Sequence, residues 1–318
     1  MSSRFLERAR RLPSLGLGLS TEYGALRAPG SLDLFEARRA LPRCASFLEL
    51  GVEVEKGLDR DARRWAREVG PTTYHFLDVN LHEPQDLDPA WLEGVRALVA
   101  EARPAWLCGD AGMWHFGPRA QGHMLLLPPV LTRDAAYELA DGVAALREAT
   151  GLEVLPENPP GHLYLGDLHL LDFFALLCER ADTGMLLDVA HLVIFQAERG
   201  LPPTAGLDGF PLDRVIELHM AGGRRRDVEG LALIEDDHAP RLLPETWAAF
   251  DACAPRLTEL RAVVFECERN PLRACEEEMR ALHAALGARV APAAPLHEAL
   301  GPSPCAPHAP APRPGPPA

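Results

Sequence analysis

The sequence predicts a single (β/α)8 TIM barrel, an α/β fold, from three observations. Eight short apolar runs recur along the chain, amphipathic stretches or long loops separate them, and no Gly-rich phosphate turn follows the first run. Strands alternating with helices imply a parallel sheet, and eight repeats in a chain of this length imply a closed barrel. An open doubly wound sheet would usually carry GxGxxG after its first strand, where this chain has STEYGALRAPG.

In chain order the runs fall at 15–19 (LGLGL), 46–50 (SFLEL), 73–77 (TYHFL), 105–109 (AWLCG), 153–157 (EVLPE), 184–188 (GMLLD), 215–219 (VIELH) and 262–266 (AVVFE). All are too short for helices, and several are apolar almost throughout, as strands covered on both faces should be. Apolar residues spaced three and four apart mark helices at 58–69, 89–102, 132–150, 167–181, 240–253 and 272–286. Asp59, Asp88 with Pro89, Thr132 and Asp134 supply cap chemistry at helix starts. Residues 1–14 read as an N-terminal extension, 15–290 as the barrel and 291–318 as a disordered tail. Ten of the 30 prolines lie between Pro292 and Pro317, in a stretch with too little apolar surface to offset its chain entropy.

Composition narrows the function. Of 318 residues, 47% are hydrophobic and 25% charged, an ordinary globular balance. A net charge of −14 argues against nucleic-acid binding, which draws on basic surface. The seven cysteines (Cys44, Cys108, Cys178, Cys253, Cys267, Cys275 and Cys305) form no CxxC pair and are odd in number. Neither a zinc ribbon nor a disulfide framework is therefore expected. The N-terminus MSSRFLERARRLPS lacks the apolar stretch of a signal peptide, and no run has the length of a membrane span. The expectation is a cytoplasmic protein without membrane or nucleic-acid partners.

The informative pattern is what each strand ends on. The third carries His75, the fourth runs into Asp110, and the fifth to eighth end on Glu157, Asp188, His219 and Glu266, while the second carries Glu49 with Glu53 just beyond. In a barrel these positions converge on one rim, where barrel active sites are built. Singly, each has a plainer reading, an acid as a helix N-cap or a histidine as a satisfied core residue. Together they would pack mutually repelling carboxylates, a repulsion that divalent cations relieve. Asp188 and His191 share one side of a turn if the chain coils after the sixth strand. Asp236 and His238 point the same way if the loop after His219 is extended. Mixed imidazole and carboxylate donors suit iron, manganese or zinc.

The segments FLELGVEVE, TYHFLDVNL, LPENPP, GMLLDVAHL, VIELHMAGG, LIEDDH and VFECERNP, in this order, resemble the multinuclear non-haem iron-dependent oxidases, the family of the methanobactin-biosynthesis oxidase. The resemblance runs from about Leu15 to Leu286 and is most specific in the Glu-Asn pair, the LD-x-x-[NH] motif and the H-x-A-G motif. It implies a TIM barrel that binds two or three irons and uses dioxygen to modify a residue, often cysteine, of a ribosomally made precursor peptide, commonly with a peptide-presenting partner protein. Carried across, it makes His75, Glu157, Asp188, His191, His219, Asp236, His238 and Glu266 metal ligands. His219, Asp236 and His238 take the catalytic role, and Glu53, Asp110 and Asn158 adjoin the cofactor. Ala111 departs from the pattern, since the family usually places a ligand histidine there; His115, four residues on, is the nearest substitute. Two firmly held ions are expected, with a third position altered.

The resulting reading is an iron-dependent oxidase acting on a precursor peptide or a small thiol. Two alternatives remain: a divalent-metal isomerase or hydrolase of the sugar-isomerase type, and a degenerate barrel that binds a peptide without catalysis. The Arg224–Arg226 run reads as solvated loop surface, with gripping a carboxylate as the alternative. Trp106, Trp114 and Tyr164 read as packing residues, and Cys267 as facing the barrel exterior.

Overall fold

The computed structural model describes residues 4–21, 30–119, 125–287 and 290. The tail expected at 291–318 lies outside the described residues. Nine strands form one sheet: β1 (Gly16–Ser20), β2 (Leu48–Val52), β3 (Thr72–Phe76), β4 (Leu107–Asp110), β5 (Val154–Glu157), β6 (Met185–Asp188), β7 (Val215–Val228), β8 (Leu231–Ala239) and β9 (Ala262–Glu266). Strands β1 to β7 pair in parallel in chain order, β7 pairs with β9, and β9 pairs with β1 through Gly16 and Ala262, so eight strands close into a TIM barrel. The remaining strand, β8, runs antiparallel to the outer half of β7.

Helices α2 (Leu34–Ala40), α3 (Arg60–Glu68), α4 (Pro89–Ala102), α5 (Arg133–Thr150), α6 (Leu170–Ala181), α7 (Val189–Glu198), α8 (Pro244–Cys253) and α9 (Leu272–Leu286) follow the strands. The expected caps form: Asp59 accepts from the Asp61 and Ala62 amides, Asp88 from Ala90 and Trp91, and Thr132 from Ala135. Each such cap is worth about 1 kcal/mol. The main core lies between the barrel wall and the helices and includes Cys267, buried as expected of a residue on the outer face. A second core fills the barrel's lower interior with Phe47, Trp106, Leu155, Leu186, Ile216 and Val264. Helix α1 (Arg4–Ala9), within the stretch read as an extension, seals this end: Phe5 and Ala9 join the interior core and Arg8 pairs with Glu153 at 2.6 Å and Asp182 at 3.1 Å. None of the described helices is long and apolar enough to cross a membrane.

The segment between His219 and Asp236 differs from the loop expected of it. It is a β-hairpin in which β7 and β8 pair from Gly222 with Ala239 to Val228 with Leu231. Its turn residues Glu229 and Gly230 both adopt positive φ (54° and 87°), the mark of a two-residue hairpin turn. At its base no side chain fits on Gly222, whose Cβ would come within 2.2 Å of the Ala239 carbonyl. The register slips between Gly222 and Gly223. Such a bulge bends a strand locally, and Asp236 and His238 of β8 line the cleft at the carboxyl end of the barrel.

Candidate metal centre

Inward-facing positions near the carboxyl ends of the strands bring most of the predicted residues together. His75 on β3, Glu157 on β5, His219 on β7 and Glu266 on β9 are buried, as is Asp188, which ends β6 and caps α7 through the His191 amide at 2.6 Å. That cap coils the chain immediately, so His191 returns to the cluster with its Nε2 3.6 Å from Asp188 Oδ2. From the hairpin, Asp236 and His238 reach inward: Asp236 Oδ2 lies 3.3 Å from His191 Nε2 and 3.4 Å from His238 Nε2. His238 sits at φ 48°, a conformation uncommon for a side-chain-bearing residue, and the Asn270 amide holds its carbonyl at 2.6 Å.

Glu157 is the hub. Its Oε2 lies 2.7 Å from His75 Nε2, and its Oε1 lies 3.1 Å from His219 Nδ1 and 3.6 Å from His191 Nδ1. His219 Nδ1 is also 3.3 Å from Glu266 Oε1 and 3.9 Å from Asp188 Oδ2. Asp110, aligned with Glu157 across β4 and β5, stands 3.9 Å from His75 Nε2. The groups line one open cleft together with Trp114, Leu126 and Pro160.

Electrostatics tie the cluster together. Burial opposes charging His75, yet the hydrogen bond and charge of Glu157, with Glu49 and Asp110, raise its pKa to about 9. Burial and the Glu157 charge lift Asp110 to about 7, and burial pushes Asp188 well above the carboxylate range despite His191. Burial likewise disfavours the Asp236 carboxylate, but His238 and His191 outweigh it and hold the group well below its ordinary value. Several buried atoms nevertheless make no well-directed hydrogen bond: Asp110 Oδ1, Glu157 Oε1, Asp188 Oδ2, Asp236 Oδ1, Glu266 Oε2 and both ring nitrogens of His219, whose contacts with Glu49 and Glu157 are close but poorly aligned for N–H···O bonding. Buried polar atoms are almost always paired. Converging carboxylate and imidazole atoms left without well-directed hydrogen bonds suit cations. Within this cluster three sets of donors lie close enough to hold one: Glu49, His219 and Glu266; His75, Asp110 and Glu157; and Glu157, Asp188 and His191.

Three further expected positions sit around the cluster rather than in it. Glu53 lies one residue past the end of β2, where the chain turns away, and pairs with Lys56. The acid that β2 delivers is Glu49, whose Oε1 is 2.9 Å from His219 Nε2. Asn158 donates to and accepts from the backbone of Asp188, at 2.8 and 2.9 Å, and so positions that residue behind the cluster. His115 does not substitute for the absent histidine at Ala111. Its Nε2 is 3.0 Å from Asp86 and its Nδ1 2.8 Å from the Gly117 carbonyl, away from the cluster. Glu268 completes the picture: its Oε1 lies 2.6 Å from His238 Nδ1, and Ser20 Oγ donates to its other oxygen at 3.2 Å. The arginine run is engaged on the hairpin surface: Arg224 with Asp237 at 2.7 Å, Arg226 with Glu235 at 2.8 Å, and Arg225 with Glu245.

Comparison with known proteins yields matches at two levels. The family described as RiPP precursor modification enzyme MbnB/TglH/ChrH matches residues 34–286. A UPF0276 protein of Rhizorhabdus wittichii is 27% identical over 229 residues, spanning 70% of this chain and 80% of its own. A UPF0276 protein of Caulobacter vibrioides is 24% identical over 254 residues, spanning 79% and 87%. Among solved structures, a xylose isomerase-like TIM barrel protein from Mycobacterium smegmatis in complex with magnesium aligns at TM-score 0.56 and 12% identity, over 92% of this chain and 100% of that one. The IOLI protein with a bound zinc atom aligns at TM-score 0.54 and 10% identity, over 86% and 99%. At such identities the structural likeness is one of fold.

Proposed function

We propose that this chain, which belongs to the RiPP precursor modification enzyme family MbnB/TglH/ChrH, is an iron-dependent oxidase that uses dioxygen to modify a residue, cysteine foremost, of a ribosomally made precursor peptide. Family membership supports the peptide substrate. The observation that carries the metal chemistry is the convergence of buried carboxylate and imidazole atoms around Glu157 and His219 that make no well-directed hydrogen bonds. The donors are oxygen and nitrogen, a set that fits iron.

His75, Asp110 and Glu157 would hold one ion, and His219, Glu266 and Glu49 another. Asp188, His191, Asp236 and His238 would serve as further ligands. Ala111 offers no donor, and His115 is engaged with Asp86, which favours two ions over three. Iron in these positions supplies a site for a substrate thiolate and the capacity to activate dioxygen. The chain supplies the rest. Asn158 fixes the Asp188 backbone, and Glu268 orients the His238 ring, as partners of metal-binding residues usually do. Trp114, Leu126 and Pro160 add apolar surface to the cleft beside the cluster. The hairpin that carries Asp236 and His238 forms one side of the mouth through which a peptide would enter.

The test is oxygen consumption and peptide mass change by the iron-loaded full chain, offered a cysteine-containing precursor encoded beside its gene. His219→Ala and Asp236→Ala should abolish both, and full activity in either variant would refute the assignment. Turnover of a sugar with zinc or magnesium and no oxygen uptake would instead favour an isomerase.

A further inference from the structure

We propose that Glu49, Cys108 and Glu217 form a second cation site, one layer deeper in the barrel than the cluster around Glu157, which takes a divalent late transition metal such as zinc, cobalt(II) or iron(II). The three come from different strands, β2, β4 and β7, and their ligand atoms all lie within 4.8 Å of one another. Cys108 precedes Asp110 by two residues and Glu217 precedes His219 by two, so strand alternation aims both at the barrel axis one step below the upper ligands. All three are buried, with exposures of 2%, 0% and 0%.

Hydrogen bonding leaves this triad incomplete. Glu217 Oε2 accepts the Trp106 indole N–H at 2.6 Å, but Glu217 Oε1 has no partner although the side chain is fully buried. Glu49 Oε2 accepts from the Cys108 thiol at 3.2 Å and the Thr73 hydroxyl at 3.3 Å. The walls here are Phe47, Leu155, Leu186 and Ile216, which compensate no charge. Two carboxylates in such surroundings are costly unless something positive or a shared proton joins them. A thiolate with two carboxylates matches a borderline-soft ion rather than calcium or magnesium. Glu49 lines the cleft above, and its Oε1 faces His219 while its Oε2 faces Cys108. Glu49 would thus join the two layers. The site goes beyond the oxidase reading and does not depend on it.

Loading the full chain with cobalt(II) tests it. The expected result is a near-ultraviolet thiolate-to-cobalt charge-transfer band that Cys108→Ser abolishes while cobalt binding falls by one ion per chain. Glu217→Gln, which keeps its shape and an acceptor for Trp106, should lose the same ion. His191→Ala, in the upper cluster, should keep the band. Far-ultraviolet circular dichroism checks that each variant is folded; if Cys108→Ser is not, Glu217→Gln decides. A wild-type protein without the band, or a folded Glu217→Gln that binds as many ions as wild type, would overturn the proposal and leave Glu217 as a neutral acid sharing a proton with a neighbour.

Discussion

Two buried polar networks sit near the mouth of the barrel, and they handle charge differently. In the loops after β3 and β4, Asp86 Oδ2 accepts the Asn80 amide at 2.6 Å and lies 3.0 Å from His115 Nε2. Asn80 in turn accepts from the Trp114 amide at 2.7 Å and donates to the His115 carbonyl at 2.9 Å. Arg119 reaches Asp86 at 2.9 Å and Asp88 at 3.2 Å. Nothing in this network is among the buried atoms without well-directed hydrogen bonds, whereas the cluster around Glu157 and His219 supplies six of the residues with such atoms. A high density of acids and histidines therefore does not by itself mark a metal site. Converging atoms without well-directed hydrogen bonds do.

The sharpest way to break the contrast is to delete one histidine from each side. His219→Ala should cost roughly 10³-fold or more in oxygen-dependent turnover, the several kcal/mol a bound metal contributes. His115→Ala should leave turnover and metal content per folded molecule intact while lowering stability by about 2 kcal/mol, because it leaves the Asp86 carboxylate short of a partner. Oxygen uptake, elemental analysis and denaturant unfolding check the pair.

Next in size is a pH effect confined to the satisfied side. Burial lifts Asp78 from 3.8 to about 6, against its hydrogen bonds from Val54 and Trp91. The folded state therefore holds a proton that the unfolded chain releases, and stability should fall as pH rises from about 4 to 6, by about 2–3 kcal/mol. Asp78→Asn should flatten that slope, measured by denaturant unfolding, and a chelator should leave the slope unchanged. A slope that vanished with chelation would tie this network to the metals after all.

Glu268→Gln probes the boundary of the cluster. It removes the charge that orients His238 but leaves an acceptor, so metal affinity should weaken about 10–100-fold. Metal titration reads the change, and unaltered affinity would assign Glu268 a purely structural part.

The smallest effect is also diagnostic in sign. Asp188→Asn keeps an oxygen to cap α7 but removes an acid whose ionisation is opposed by burial and by Glu266 and Glu157. With a chelator present it should raise stability by about 1–2 kcal/mol, and with metal loaded it should lower it. Because the folded-state pKa is raised, the penalty of the wild-type acid grows as pH rises above the ordinary carboxylate value, and the variant should lose that pH dependence. Thermal unfolding with and without metal checks both.

The barrel was legible in the sequence because each strand is a short apolar run, and the cluster because the third to eighth strands carry or end on a histidine or an acid. What escaped the periodic reading has physical causes. Helix α7 buries eight consecutive residues from Val189 to Gln196, so it shows no polar face. The hairpin turns on Glu229-Gly230 instead of the Asn-Gly or Asp-Gly that would have announced it, and its arms carry Arg224–Arg226 in a pattern that reads as loop. Glu49 and Glu53 share strand parity, so alternation cannot choose between them; the end of β2 at Val52 does. Helix α1 is six residues long, and its fit beneath the barrel depends on Gly184, where a Cβ would lie 2.5 Å from Phe5.

The claim on which all of this rests is that the converging donor atoms around Glu157 exist to hold cations. Elemental analysis of the full chain, purified anaerobically and passed through a desalting column, tests it most directly. The account predicts about two iron ions retained per wild-type chain, a clear loss in His219→Ala and none in His115→Ala. A folded wild-type protein that retains no stoichiometric metal would contradict it.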